Sequence, residues 1–162
     1  MRFFASSARA ATLLISLLCI PGWAQLNSLS SVLSVIPPER LVANRNQTIT
    51  AEFRIQLREG YHVNSDKPAD PYLIPLRFTF LPGPAQLVEL RFPSPRMEKF
   101  DFSAKQVSVF DGEFKAIGKF RIAADAPTGL TKLAGKLRYQ ACSTKECLRP
   151  RTLDVTVPLE IR

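Results

Sequence analysis

Gln47-Thr-Ile-Thr-Ala-Glu-Phe-Arg-Ile-Gln-Leu57 alternates polar and apolar side chains without a break. Ile49, Ala51, Phe53, Ile55 and Leu57 fall on one face; Thr48, Thr50, Glu52, Arg54 and Gln56 fall on the other. A period of two belongs to an extended strand with one buried face and one wet face. Leu76, Phe78 and Phe80 repeat the pattern, and so do Val88, Leu90 and Phe92. Near the end Leu153, Val155, Val157, Leu159 and Ile161 carry it over nine residues. One more short strand is expected at Val32–Ile36, inside a Ser-, Pro- and Asn-bearing lead-in over residues 25–46. No window of similar length shows a helical stripe, so the domain is expected to be all-β. About seven or eight short strands with Pro- and Gly-rich turns fit an immunoglobulin-like antiparallel β-sandwich. Asp111-Gly112 is the dipeptide favoured in two-residue hairpin turns. It predicts a hairpin with Val109 opposite Phe114 and Val107 opposite Ala116.

The 162 residues are enough for one domain of ordinary size. With 46% hydrophobic and 22% charged residues the chain is globular rather than disordered. It has no fixed-period repeat, which excludes solenoids and coiled coils. Arg2 and Arg9 precede the apolar run Ala10–Ile20, and Pro21-Gly-Trp-Ala24 offers small residues for cleavage after Ala24. We read residues 1–24 as a signal peptide and 25–162 as the exported domain. The run is short for a membrane span, and no later segment is apolar enough for one, so no transmembrane segment is expected in the mature chain. Losing Arg2 and Arg9 from a net charge of +8 leaves about +6. The basic residues are scattered singly without an aromatic-basic motif, so nucleic acid is not expected as a partner.

Cys19 would go with the signal, leaving Cys142 and Cys147 in a compartment where disulfides persist. Strand-like sequence runs into Cys142, Ser143-Thr-Lys-Glu146 follows, and strand-like sequence resumes after Cys147. A hairpin loop there would oppose the two cysteines at a distance a disulfide accepts. A simple hairpin would also set Leu137 opposite Thr152 and mix the faces. Either a bulge follows Cys147 or the strands part into different sheets. By spacing alone the bridge reads as a redox pair or as a staple. A loop this short removes only roughly 2 kcal/mol of unfolded-chain entropy, which is little for a staple. A metal site is the third reading. Two thiolates and His62 make three ligands where a closed zinc site takes four, so no metal and no cofactor is expected.

Tyr139-Gln-Ala-Cys142-x4-Cys147-Leu-x-Pro150, followed by an alternating Val-rich strand, resembles the amino-terminal periplasmic domain of the bacterial thiol:disulfide interchange protein DsbD. Glu59-Gly-Tyr-His-Val-Asn-Ser-Asp-Lys-Pro68, Tyr72-Leu-Ile-Pro75 and Lys99-Phe-Asp-Phe-Ser103, running into Val107–Gly112, resemble the same family. The likeness extends from about residue 30 to the end. It implies an immunoglobulin-like fold in the periplasm whose cysteines shuttle between dithiol and disulfide. Family members take electrons from a thioredoxin-like domain and pass them to periplasmic oxidoreductases, including cytochrome c biogenesis factors. The implied partners here are thioredoxin-like oxidoreductases, with a membrane electron-transfer protein as a further candidate. The resemblance makes Cys147 the cysteine that forms the mixed disulfide and Cys142 the one that resolves it. It places Phe100 and Phe102 in the family's cap loop, and Asp101 among its acidic cap residues. His62 falls where the family sets a polar or aromatic side chain beside the cysteines, and Asn64, two residues on, would point to the same face of a strand. The cysteine loop is one residue shorter than in well-known members. The membrane conduit and thioredoxin-like domain that usually follow are not in this sequence, so a stand-alone copy is expected. The rival expectation is a non-catalytic immunoglobulin-like binding or assembly module with a structural disulfide.

Overall fold

The computed structural model describes residues 31–100, 103 and 105–162; the expected signal peptide, Asp101 and Phe102 lie outside them. The described residues form strands and no helix. In chain order these are β1 (Leu33–Ile36), β2 (Leu41–Ala43), β3 (Thr48–Leu57), β4 (His62–Asn64), β5 (Arg77–Phe80) and β6 (Ala85–Arg91). There follow β7 (Arg96–Glu98), β8 (Val107–Asp111), β9 (Glu113–Ile122), β10 (Gly129–Tyr139), β11 (Ala141–Cys142) and β12 (Arg151–Ile161). Twelve strands exceed the expected seven or eight because β2, β4, β7 and β11 have only two or three residues. An alternation cannot be read over so short a span.

The strands make an immunoglobulin-like β-sandwich. One sheet has the order β1-β3-β9-β6 and faces another of order β2-β12-β10-β5. All pairs are antiparallel except β2 with β12. The alternation of Thr48–Leu57 is realised residue by residue, with Ile49, Ala51, Phe53, Ile55 and Leu57 buried and their neighbours turned outward. The two layers meet through aromatic rings. Phe53 packs edge-on to Phe78 at 4.9 Å and Phe80 packs on Phe120 at 4.7 Å, geometries that suit the ring quadrupoles. Val155, Val157, Leu159 and Ile161 complete the core from β12.

A third sheet, β11-β4-β8-β7, extends the first. The expected hairpin at Asp111-Gly112 does not form. Instead β8 passes into β9 through Gly112, and the two strands pair with different segments of one opposing stretch: β4 with β8, and β3 with β9. Gly112 has φ +58°, the left-handed conformation that makes Asp-Gly a turn former, and here it bends a strand from one sheet to the next. Gln56 pairs with Glu113, and the Leu57 N–H donates to Gly112 O at 2.8 Å. The next pair is His62 with Asp111, so Arg58-Glu-Gly-Tyr61 is an insertion without counterpart on the other strand. It closes as a turn, Tyr61 N–H to Arg58 O at 3.2 Å, with Gly60 at φ +81° in its third position.

Val88 corrects a second expectation. It is 64% exposed, because a bulge between Leu87 and Glu89 in the β6–β9 pair resets the faces. Beyond the bulge, Leu90 and Phe92 do pack against the core.

Candidate functional site

The cysteine segment sits where β10 and β12 hand over to the third sheet. Tyr139 pairs with Arg151 and Leu137 with Leu153, whereas Cys142 pairs with Cys147 in an isolated bridge and the Leu148 N–H donates to Ala141 O at 2.8 Å. The segment 148–151 therefore holds one more residue than 139–141. Of the two alternatives for the register, the bulge after Cys147 is the one realised, and it contains Pro150, which could not serve a ladder. The bulge lets β10 and β12 keep their apolar faces together while β11 leaves to pair with β4.

Cys142 and Cys147 are joined by a disulfide, their Cα atoms 3.9 Å apart. Ser143 folds the loop between them. Its N–H donates to Glu146 O at 2.8 Å, and its Oγ accepts from the N–H groups of Lys145 and Glu146, both at 3.2 Å. The two cysteines differ in access. Cys142 is 1% exposed, while Cys147 lies on the exposed part of the loop. Lys145, Glu146, Arg149 and Arg151 are all exposed around it.

His62 is the register partner of Cys142 on one side and of Asp111 on the other. It is 5% exposed and stacks on Phe100, ring centroids 4.2 Å apart and planes inclined by 17°. Phe100 belongs to a small second core with Val107, Val109 and Leu73. Since Val63 enters the main core, His62 and Phe100 occupy the opposite face of the third sheet. The Nε2 atom of His62 is buried and has no hydrogen-bond partner among the described residues. A cavity of about 520 Å³ opens beside the ring, lined by Arg58, Glu59, Arg96, Glu98 and Thr144 of the cysteine loop. Arg96 bonds both Glu98, at 2.5 Å, and Asp111, at 2.6 Å. Asn64 shares the strand with His62 but serves another purpose: its Nδ2 donates to Ile74 O at 3.0 Å, pinning the loop that precedes β5. Asp111, read from sequence only as a turn residue, enters the site through the register. Nothing local in the sequence signals that placement.

Burial lowers the pKa of His62 below its ordinary 6.5, and Arg96 adds to this, while Glu98 and Asp111 act in the opposite sense. The folded ring therefore stays neutral to lower pH than the unfolded one. As pH falls below about 6.5 the unfolded chain takes up the proton first, so stability is lost from there down to the folded value and is unaffected above. Urea midpoints at about pH 7.5 and 5.5 are expected to differ more for the native protein than for His62→Gln. Equal differences in the two proteins would show that His62 is not the group responsible.

The family model for thiol:disulfide interchange protein DsbD, N-terminal, matches residues 33–159. Among solved structures, the chain is similar to the DsbD N-terminal domain of Neisseria meningitidis in its reduced form. That likeness has 17% identity and a TM-score of 0.47, covering 66% of this chain and 74% of that one. It is also similar to the N-terminal periplasmic domain of ScsB from Proteus mirabilis, with 14% identity and a TM-score of 0.49, covering 79% of this chain and 45% of that one. No curated protein matches it. The family match spans all but the edges of the sandwich and includes both cysteines, so the chain belongs to the family of the DsbD N-terminal domain.

Proposed function

We propose that the protein is an exported, periplasmic thiol-disulfide exchange domain that relays electrons between thioredoxin-like proteins through Cys142 and Cys147. The observation that carries this reading is the unequal exposure of the two cysteines, Cys147 exposed and Cys142 buried, in one disulfide. A partner thiolate attacks Cys147 Sγ, the Cys142–Cys147 bond breaks, and Cys142 leaves with the electron pair. The partner's second thiolate then attacks the mixed disulfide, so the partner is oxidised and the domain is left as a dithiol. Run in the other direction, the dithiol reduces a downstream disulfide. Phe100, stacked on His62, is the described side chain that would move to admit a partner.

The reduction potential of the pair, measured by alkylation after equilibration in graded thiol buffers, tests the reading. A value between about −180 and −270 mV is expected, among those of exchange proteins. A value below about −300 mV would mark a structural bridge and hand the domain to the binding-module reading.

A further inference from the structure

We propose a proton relay across the third sheet in which His62 is the base that deprotonates Cys142 when a mixed disulfide on Cys147 is resolved, and Asp111 favours the imidazolium that results. This rests on the exchange reading above and assigns the step that reading leaves without a proton acceptor.

Directly opposed residues of antiparallel strands project to the same face, with Cβ atoms about 4.5–5.5 Å apart. Three successive pairings, Cys147 with Cys142, Cys142 with His62 and His62 with Asp111, therefore set four side chains in one row. The order along it is outer sulfur, inner sulfur, imidazole, carboxylate. The Cys142 thiol is enclosed, and only its thiolate can attack. The neighbour that could take the proton is a buried imidazole whose Nε2 has no partner among the described residues, an arrangement that is costly unless something shares a proton with it. The charged groups around the ring are Glu98 and Arg96 from β7, Asp111 from β8, and Arg58 and Glu59 from the inserted turn. Burial keeps the ring in its neutral, basic form near neutral pH, and the carboxylates of Asp111 and Glu98 favour the imidazolium once it holds a proton.

The steps balance. After Cys147 has attacked a partner disulfide, one partner sulfur is bonded to Cys147 and the other has left as a thiolate. His62 takes the proton of the Cys142 thiol, and the Cys142 thiolate attacks Cys147 Sγ. The Cys142–Cys147 bond forms, the bond to the partner breaks, and the partner sulfur departs with the electron pair. The two cysteines are oxidised and the partner is reduced to its dithiol; the imidazolium passes its proton to the released thiolate or to water. In the reverse direction the imidazolium protonates Cys142 as it leaves.

Stopped-flow mixing of the reduced protein with an equimolar chromogenic aryl disulfide, dithiobis-nitrobenzoate, separates the stages. The first release of aryl thiolate reports attack by Cys147, and the second reports resolution by Cys142. In the native protein the second phase is expected to be flat with pH near neutrality and to fall at lower pH as His62 gains a proton. In His62→Gln it should be slowed about 100-fold or more at pH 7 and climb with pH. Asp111→Asn, at an exposed position, should slow it less and move its lower midpoint to more acid pH. A wild-type second phase and profile in His62→Gln would overturn the relay, and an unmoved midpoint in Asp111→Asn would remove Asp111 from it. If thioredoxin-like partners are not reduced at all while these kinetics appear, the relay stands and the exchange reading falls. If partners are reduced and His62→Gln is indistinguishable from native protein, the reverse holds.

Discussion

Cys142→Ser is expected to accumulate a covalent complex with an oxidised thioredoxin-like protein, whereas Cys147→Ser should form none and transfer no electrons above background. The difference follows from access. A partner disulfide can approach Cys147 on the exposed loop, but Cys142 is 1% exposed beneath it. With serine at 142, Cys147 still attacks, one partner sulfur leaves, and nothing inside the domain can expel the other. The complex should appear on non-reducing gels and vanish with excess thiol. With serine at 147, the remaining thiol is buried, out of a partner's reach. A complex formed equally well through Cys142 would reverse the assignment of the two roles. No complex from either variant, across a panel of periplasmic thioredoxin-like proteins, would remove the relay and leave the disulfide as a staple.

The fold was legible where strands are long. β3 and β12 run for ten and eleven residues, so a two-residue period shows above chance and their core faces could be read directly. What stayed hidden depends on pairing. Asp111-Gly112 announces a backbone reversal or bend equally well, because both need a residue tolerant of positive φ. Whether the flanking strands then pair with each other is decided by their neighbours: β9 finds a ten-residue partner in β3, and β8 finds β4. Val88 is displaced by a bulge, which depends on the neighbouring β9 strand and leaves no mark in the β6 alternation. At the site the cysteines could be picked out by type and spacing, and the likeness to a known family suggested the roles proposed for them. The neighbours of Cys142 could not be read from pattern. His62 and Asp111 stand 80 and 31 positions away from it in sequence, and only the register across β11, β4 and β8 brings them into its row. Asn64, two residues from His62, is drawn off to the backbone of Ile74.

That register hangs on the sandwich next to it, and Phe53→Ala is expected to be the most damaging core change. Phe53 is fully buried in the middle of β3 and touches the rings of both Phe78 and Phe80, at 4.9 and 5.6 Å. It is therefore a principal link between the two layers. Removing a buried phenylalanine ring costs the transfer free energy of its atoms and leaves a cavity that a sheet cannot collapse to fill, about 3–5 kcal/mol in all. For a domain of this size that lowers Tm by roughly 10–20 °C. Chemical denaturation should show a lower midpoint with an unchanged slope, since the area exposed on unfolding is nearly the same. The cysteine row lies on the extension of the sheet, beyond the 58–61 insertion and on the far side from the main core. The folded fraction of Phe53→Ala should accordingly react with a disulfide probe as the native protein does, provided it is assayed well below its Tm. A loss of less than about 1 kcal/mol would mean that the layers are joined chiefly by other contacts. A slowed reaction in the folded fraction would mean that the sandwich core and the third sheet form one mechanical unit, with the register at Cys142 sensitive to packing nine residues up the chain from His62.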